Sequence, residues 1–152
     1  MRPRVVIAML SLVGAFIALY LTLYKFGVVG NLACSVGSCE TVNTSRWAML
    51  LGFPIAAWGL ATYVVLLLLS IVGVQERYET SRPVSAALLL VSGWSVLFSA
   101  WLTYLELFVI NAICVWCVTS AVVMLAIFIT SLVDWREVRS LEEPQVNLGH
   151  SI

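Results

Sequence analysis

Four long apolar runs, at about residues 5–28, 48–74, 84–110 and 114–133, decide most of what this chain can fold into. Each is near the roughly 20 residues a helix needs to cross the hydrocarbon of a bilayer. Charged residues make up 11% of the chain and hydrophobic ones 62%, whereas a water-facing domain carries roughly 25% charged residues. Most of the surface is therefore expected to face lipid. The expected fold is an all-α membrane protein, a bundle of four transmembrane helices in one domain over 1–134. An outer loop at 29–47, partly helical after Cys39, joins the first two helices, and a polar, mobile tail follows at 135–152. Formal net charge is zero, and without a basic patch the chain has no means of holding nucleic acid.

Arg2 and Arg4 precede the first run, as in a secretory signal. The run exceeds the h-region of about 7–15 residues and no A-x-A-like site follows, so a retained helix is expected. Four spans put both termini on one side. That side, with the 75–83 connection, holds Arg2, Arg4, Arg77, Arg82, Arg136 and Arg139; the other holds Lys25 and Arg46. The bias places the termini in the cytoplasm of a cell inner membrane. Cys34 and Cys39 in the first outer loop, and Cys114 and Cys117 at the start of the fourth helix, then share the outer end, where disulfides persist.

Four readings of the two pairs compete. Two structural disulfides are one, although Cys114-Val115-Trp116-Cys117 closes too short a loop to staple well. A four-cysteine zinc site is the second, since Cys-x-x-Cys is a common half-site. A single loop disulfide with two spare thiols is the third. The fourth is a redox relay, in which a loop pair exchanges with a partner outside and a helix-start pair with an oxidant in the membrane. Spacing and topology favour the relay. Its electron acceptor is expected to be lipid-soluble, and a quinone (menaquinone or ubiquinone) takes the two electrons of one disulfide; no metal is expected.

Ser92, Ser95, Ser99, Thr103 and Glu106 fall on one stripe of the third helix. Close helix packing accounts for the hydroxyl residues. Glu106, a carboxylate near membrane depth and near Cys114, either reaches water or handles protons beside the cysteines. On the fourth helix Cys117, Ser120 or Ala121, Met124 and Phe128 share a face, which either packs or borders an apolar pocket.

These features together resemble the vitamin K epoxide reductase family, in its bacterial disulfide-forming branch. The residues that carry the resemblance are Cys34 and Cys39, then Ser45-Arg46-Trp47, Phe53-Pro54, Trp58-Gly59, Tyr104-Leu105-Glu106 and Cys114-Val115-Trp116-Cys117. The resemblance implies a four-helix bundle around a quinone pocket. Cys117 would lie next to the quinone, Cys114 would exchange with a loop cysteine, and Cys34 and Cys39 would take electrons from a thioredoxin-fold, DsbA-like partner. Ser45, Trp47, Trp58 and the Ala121 position would surround the quinone. Animal members carry a tyrosine where this chain has Ala121, and an asparagine that falls on Ile55. Their absence shifts the expected substrate from vitamin K epoxide, the animal-type alternative, to a plain quinone. Some bacterial members carry a fused thioredoxin-like domain; here a separate periplasmic partner is expected.

Overall fold

The computed structural model describes residues 2–31, 33–34 and 38–150. The chain forms helix α1 (Pro3–Lys25), a short helix α2 (Cys39–Thr44), the two-residue strands β1 (Met49–Leu50) and β2 (Phe53–Pro54), and helices α3 (Ile55–Val74), α4 (Arg82–Leu105) and α5 (Val115–His150). A single π-turn, Glu106–Ile110, extends α4. Four of these segments, Pro3–Lys25, Ile55–Val74, Arg82–Ile110 and Val115–His150, are long and apolar enough to cross a membrane. The all-α membrane bundle expected from the sequence is the fold observed. Residues 32 and 35–37 of the expected outer loop lie outside the described residues.

Prolines and special backbone conformations set the element boundaries. Pro3 and Pro83 sit in the first turns of α1 and α4, where the missing N–H costs nothing. Asn111, at φ 54°, ends the π-turn in a left-handed conformation, which asparagine tolerates better than most residues. The second apolar run is not helical throughout: α3 starts at Ile55 rather than near residue 48. Its first residues instead make a hairpin, with Met49 opposite Pro54 and Leu50 opposite Phe53. The turn residues Leu51 and Gly52 both have positive φ, as a tight two-residue hairpin requires.

The fourth helix also departs from expectation. It does not stop near Val133 but continues to His150, through the segment expected to be a mobile tail. Packing explains the first part of this extension, since Asp134 and Val138 are both buried. Arg82 adds an ion pair to Glu142 (3.5 Å) and lies over the Trp135 ring, 5.5 Å from its centroid.

Arg4 closes this end of the bundle. Its guanidinium, 3% exposed, donates to Asp134 Oδ1 (2.9 Å) and to the carbonyls of Gly73 (2.8 Å) and Tyr78 (2.6 Å). Ser85 donates to the other Asp134 oxygen at 2.6 Å. A buried charge pair is tolerated where its remaining hydrogen-bonding capacity is met, and here one arginine ties α1, α3, α4 and α5 together.

Around the bundle α1 packs on α3 and α5, and α4 on α5, while α3 and α4 touch only sparingly. The core runs through Ile7, Tyr63, Leu66, Leu88 and Ile127. Gly14 lets the Tyr63 ring lie directly on α1, where a Cβ would collide with it. Gly14→Ala is therefore expected to destabilise the fold by about 1–3 kcal/mol, the usual cost of overpacking. A lower thermal midpoint of the detergent-solubilised protein would register it.

Candidate redox site

Both cysteine pairs lie at the end opposite Arg4. Cys34 and Cys39 are joined in a disulfide with their Cα atoms 6.2 Å apart, which removes them from a four-thiolate zinc site. Among the described residues, no cluster of three or more His, Cys, Asp or Glu could hold a metal ion. Cys39 opens α2 and is 1% exposed, whereas Cys34 is only partly buried.

The loop is bound down next to each cysteine of this disulfide. Before it, Ala33 N–H donates to Tyr20 Oη (2.9 Å) and the Ala33 carbonyl accepts from Trp116 Nε1 (2.7 Å). The Tyr20 and Trp116 rings meet edge to face, centroids 5.4 Å apart. Just before Cys39, Ser38 N–H donates to the Ile113 carbonyl at 2.8 Å. Trp116, between the two cysteines of the second pair, thus serves as a latch for the first.

Cys114 precedes α5 and Cys117 lies in its first turn; both are unbonded thiols. Cys114 is fully buried and packs in one cluster with Cys39 and Val42, with Cys34 against it. Cys117 N–H points at Cys114 Sγ (3.4 Å), so the helix N-terminus is aimed at that sulfur. The neighbouring Cys117 thiol holds the Cys114 thiol below its ordinary pKa, against the opposing effect of burial. Glu106, 5% exposed, reaches the same place from the end of α4. Its carboxylate accepts from Cys114 N–H at 3.4 Å and faces the Cys117 thiol.

On the other side of Cys117 lies a cavity of about 380 Å³. All the residues singled out for quinone contact line it: Ser45, Trp47, Trp58 and Ala121, together with Glu106 and Cys117. Cys114, Cys34 and Cys39 do not. Trp58 and Trp94 stand exposed at the wall, on α3 and α4. Trp58 Nε1 is fixed by the Leu50 carbonyl of the hairpin at 3.2 Å. Ser45 closes α2 and donates to the Val42 carbonyl at 2.8 Å. The stripe on α4 divides: Ser92 is buried in helix packing, while Ser95, Ser99, Thr103 and Glu106 line the cavity. On α5, Ser120, Ala121 and Met124 line it, while Phe128 sits beside Gly93.

Three further residues join the site without having stood out in the sequence. Tyr63 forms part of the wall, its hydroxyl bonded to the Ser120 carbonyl (2.8 Å) and hydroxyl (2.9 Å). Asn43 lies between the pairs, donating to the Cys39 carbonyl (2.9 Å) and towards Cys114 Sγ (3.7 Å). Lys25 lines the cavity and donates to the Asn43 carbonyl at 2.8 Å. Asn43 was legible in principle, being four residues after Cys39 and thus on its helix face.

The arrangement joins a disulfide, a dithiol and a largely apolar chamber in sequence. Comparison with protein families gives a match to the vitamin K epoxide reductase family over residues 5–132.

Proposed function

The chain belongs to the vitamin K epoxide reductase family, a family of membrane thiol-disulfide oxidoreductases, and from that premise we propose the direction and partners of its electron flow. It reoxidises a separate periplasmic thioredoxin-fold, DsbA-like protein and passes the electrons to a membrane quinone, supporting disulfide formation in secreted proteins. Both termini face the cytoplasm of the inner membrane, and both cysteine pairs lie at its outer face. One observation carries this reading: Cys117 borders the cavity while Cys114 is packed against Cys39 on the other side.

The sulfur chemistry follows from burial. A partner thiolate attacks Cys34, the more accessible loop sulfur, and the S–S bond breaks with its electron pair left on Cys39. The partner's second thiol then releases Cys34 and leaves as a disulfide. Cys39 attacks Cys114 in the oxidised Cys114–Cys117 pair, and the Cys117 thiolate released at the cavity takes up one of the two protons given up by the partner's thiols. Cys34 next attacks Cys39, restoring the loop disulfide and freeing Cys114. A quinone in the cavity supplies an acceptor for two electrons and two protons. Cys114 and Cys117 close again as those electrons leave, and Glu106 carries the Cys117 proton towards the chamber.

The chamber fits such an acceptor: Trp47, Trp58, Trp94 and Met124 offer flat and apolar walls, and Glu106 lines it together with Cys117. Ala121 puts a methyl on the wall where the animal enzymes place a tyrosine hydroxyl, which favours a plain quinone. The purified protein in liposomes, given menaquinone or ubiquinone and a reduced thioredoxin-fold protein, is expected to form one quinol per disulfide. Partner oxidation without quinol would overturn the reading.

A further inference from the structure

The side chain best placed between the two pairs is neither a cysteine nor an acid. Asn43 is 8% exposed, and its amide nitrogen serves both pairs, donating to the Cys39 carbonyl at 2.9 Å and towards Cys114 Sγ at 3.7 Å. Its backbone carbonyl is held by Lys25 Nζ at 2.8 Å, which fixes the last turn of α2 against α1. With Cys117 N–H at 3.4 Å, two N–H donors converge on the Cys114 sulfur, a weak acceptor as a thiol and a strong one as a thiolate.

We propose that Asn43 is a positioning residue for the exchange, holding Cys39 in line with Cys114 and stabilising the Cys114 thiolate. The proposal rests on the relay reading for its role in turnover. In the resolving step Cys34 attacks Cys39, the Cys39–Cys114 bond breaks, and its electron pair departs on Cys114. The Asn43 and Cys117 N–H groups receive that charge without reorganising. The Cys114–Cys117 bond then forms as the Cys117 S–H bond breaks, the two electrons and the proton passing to the quinone acceptor.

The groups facing Cys114 come from every neighbouring element. Glu106 at the end of α4 binds its backbone N–H, Cys117 on α5 its sulfur, and Lys25 on α1 reaches it only through Asn43. Cys39 on α2 is in a disulfide. Of these, Glu106 opposes the thiolate and the Cys117 thiol favours it. Asn43 therefore adds a neutral donor whose removal changes no charge.

The test is a thiolate titration of the full chain in detergent with Cys34–Cys39 closed and Cys114 and Cys117 reduced, read as ultraviolet thiolate absorbance after subtraction of the Cys114→Ser variant. It needs neither quinone nor partner, so its failure is distinct from failure of the relay. Asn43→Ala is expected to raise the Cys114 midpoint by about one pH unit, the size of one hydrogen bond to a charged group. Asn43→Asp keeps the shape but loses the donor and adds a negative charge, and is expected to raise it further. Quantitative formation of the Cys34–Cys39 disulfide serves as the control for folding. An unmoved midpoint in both variants would overturn the proposal. So would an Asn43→Asp protein that regains wild-type exchange, because that outcome leaves Asn43 a merely structural cap of α2.

Discussion

Cys117→Ala is expected to lower quinol formation by about a thousandfold or more, the scale of loss when a reacting nucleophile is removed. Of the four cysteines, Cys117 alone lines the cavity, so no other sulfur can deliver electrons there. Cys114, fully buried, is screened from the chamber by Cys117 and loses the partner with which it closes. The electrons from the loop then stop one station short. Oxidised Cys117→Ala is accordingly expected to accumulate a Cys39–Cys114 disulfide, identified as a cross-linked peptide by mass spectrometry without reductant. A Cys34–Cys114 bond instead would exchange the roles of the two loop cysteines. Quinol formation above a tenth of the wild-type rate would remove Cys117 from the reaction.

Much of this organisation is readable in the residues, for physical reasons. A lipid-facing helix must be apolar along its whole length, so the spans α1, α3, α4 and α5 are visible as runs. Ser45, Trp47 and Trp58 are assigned to the pocket by resemblance, and Ala121 by resemblance and helix face; all four are among the residues that line one cavity. Where tertiary contacts override the run, the sequence is silent. Gly52 and Pro54 do mark a regular helix that begins close to Pro54, as α3 does at Ile55, but nothing in Met49 to Pro54 announces the hairpin through which Leu50 holds Trp58. The polar segment after Asp134 does not announce its helix by composition, and only its first part is accounted for by packing, where Asp134 and Val138 are buried near Arg4. Asn43 shares a helix face with Cys39, but its reach to Cys114 and that of Tyr63 to Ser120 span 71 and 57 residues, distances that no local pattern covers.

Glu106 is readable near Cys114 from its place on α4, and the π-turn and left-handed Asn111 supply the turn that brings its carboxylate to the Cys114 N–H. Glu106→Gln is expected to slow quinol formation about a hundredfold, the lower end of what a positioned proton carrier contributes. Gln keeps a carbonyl oxygen for the Cys114 N–H, so the geometry of the exchange survives, but it cannot take the Cys117 proton. Oxidation of the partner should therefore persist for a single turnover, until Cys114 and Cys117 are both reduced, and then stall. Rapid-quench thiol trapping separates these phases: wild type shows both pairs cycling, and Glu106→Gln shows the second pair trapped as dithiol. A general loss of both phases would make Glu106 a support for the backbone at Cys114. Unimpaired steady turnover would mean that protons reach the chamber by another route, for which Lys25, also on its lining, is a candidate.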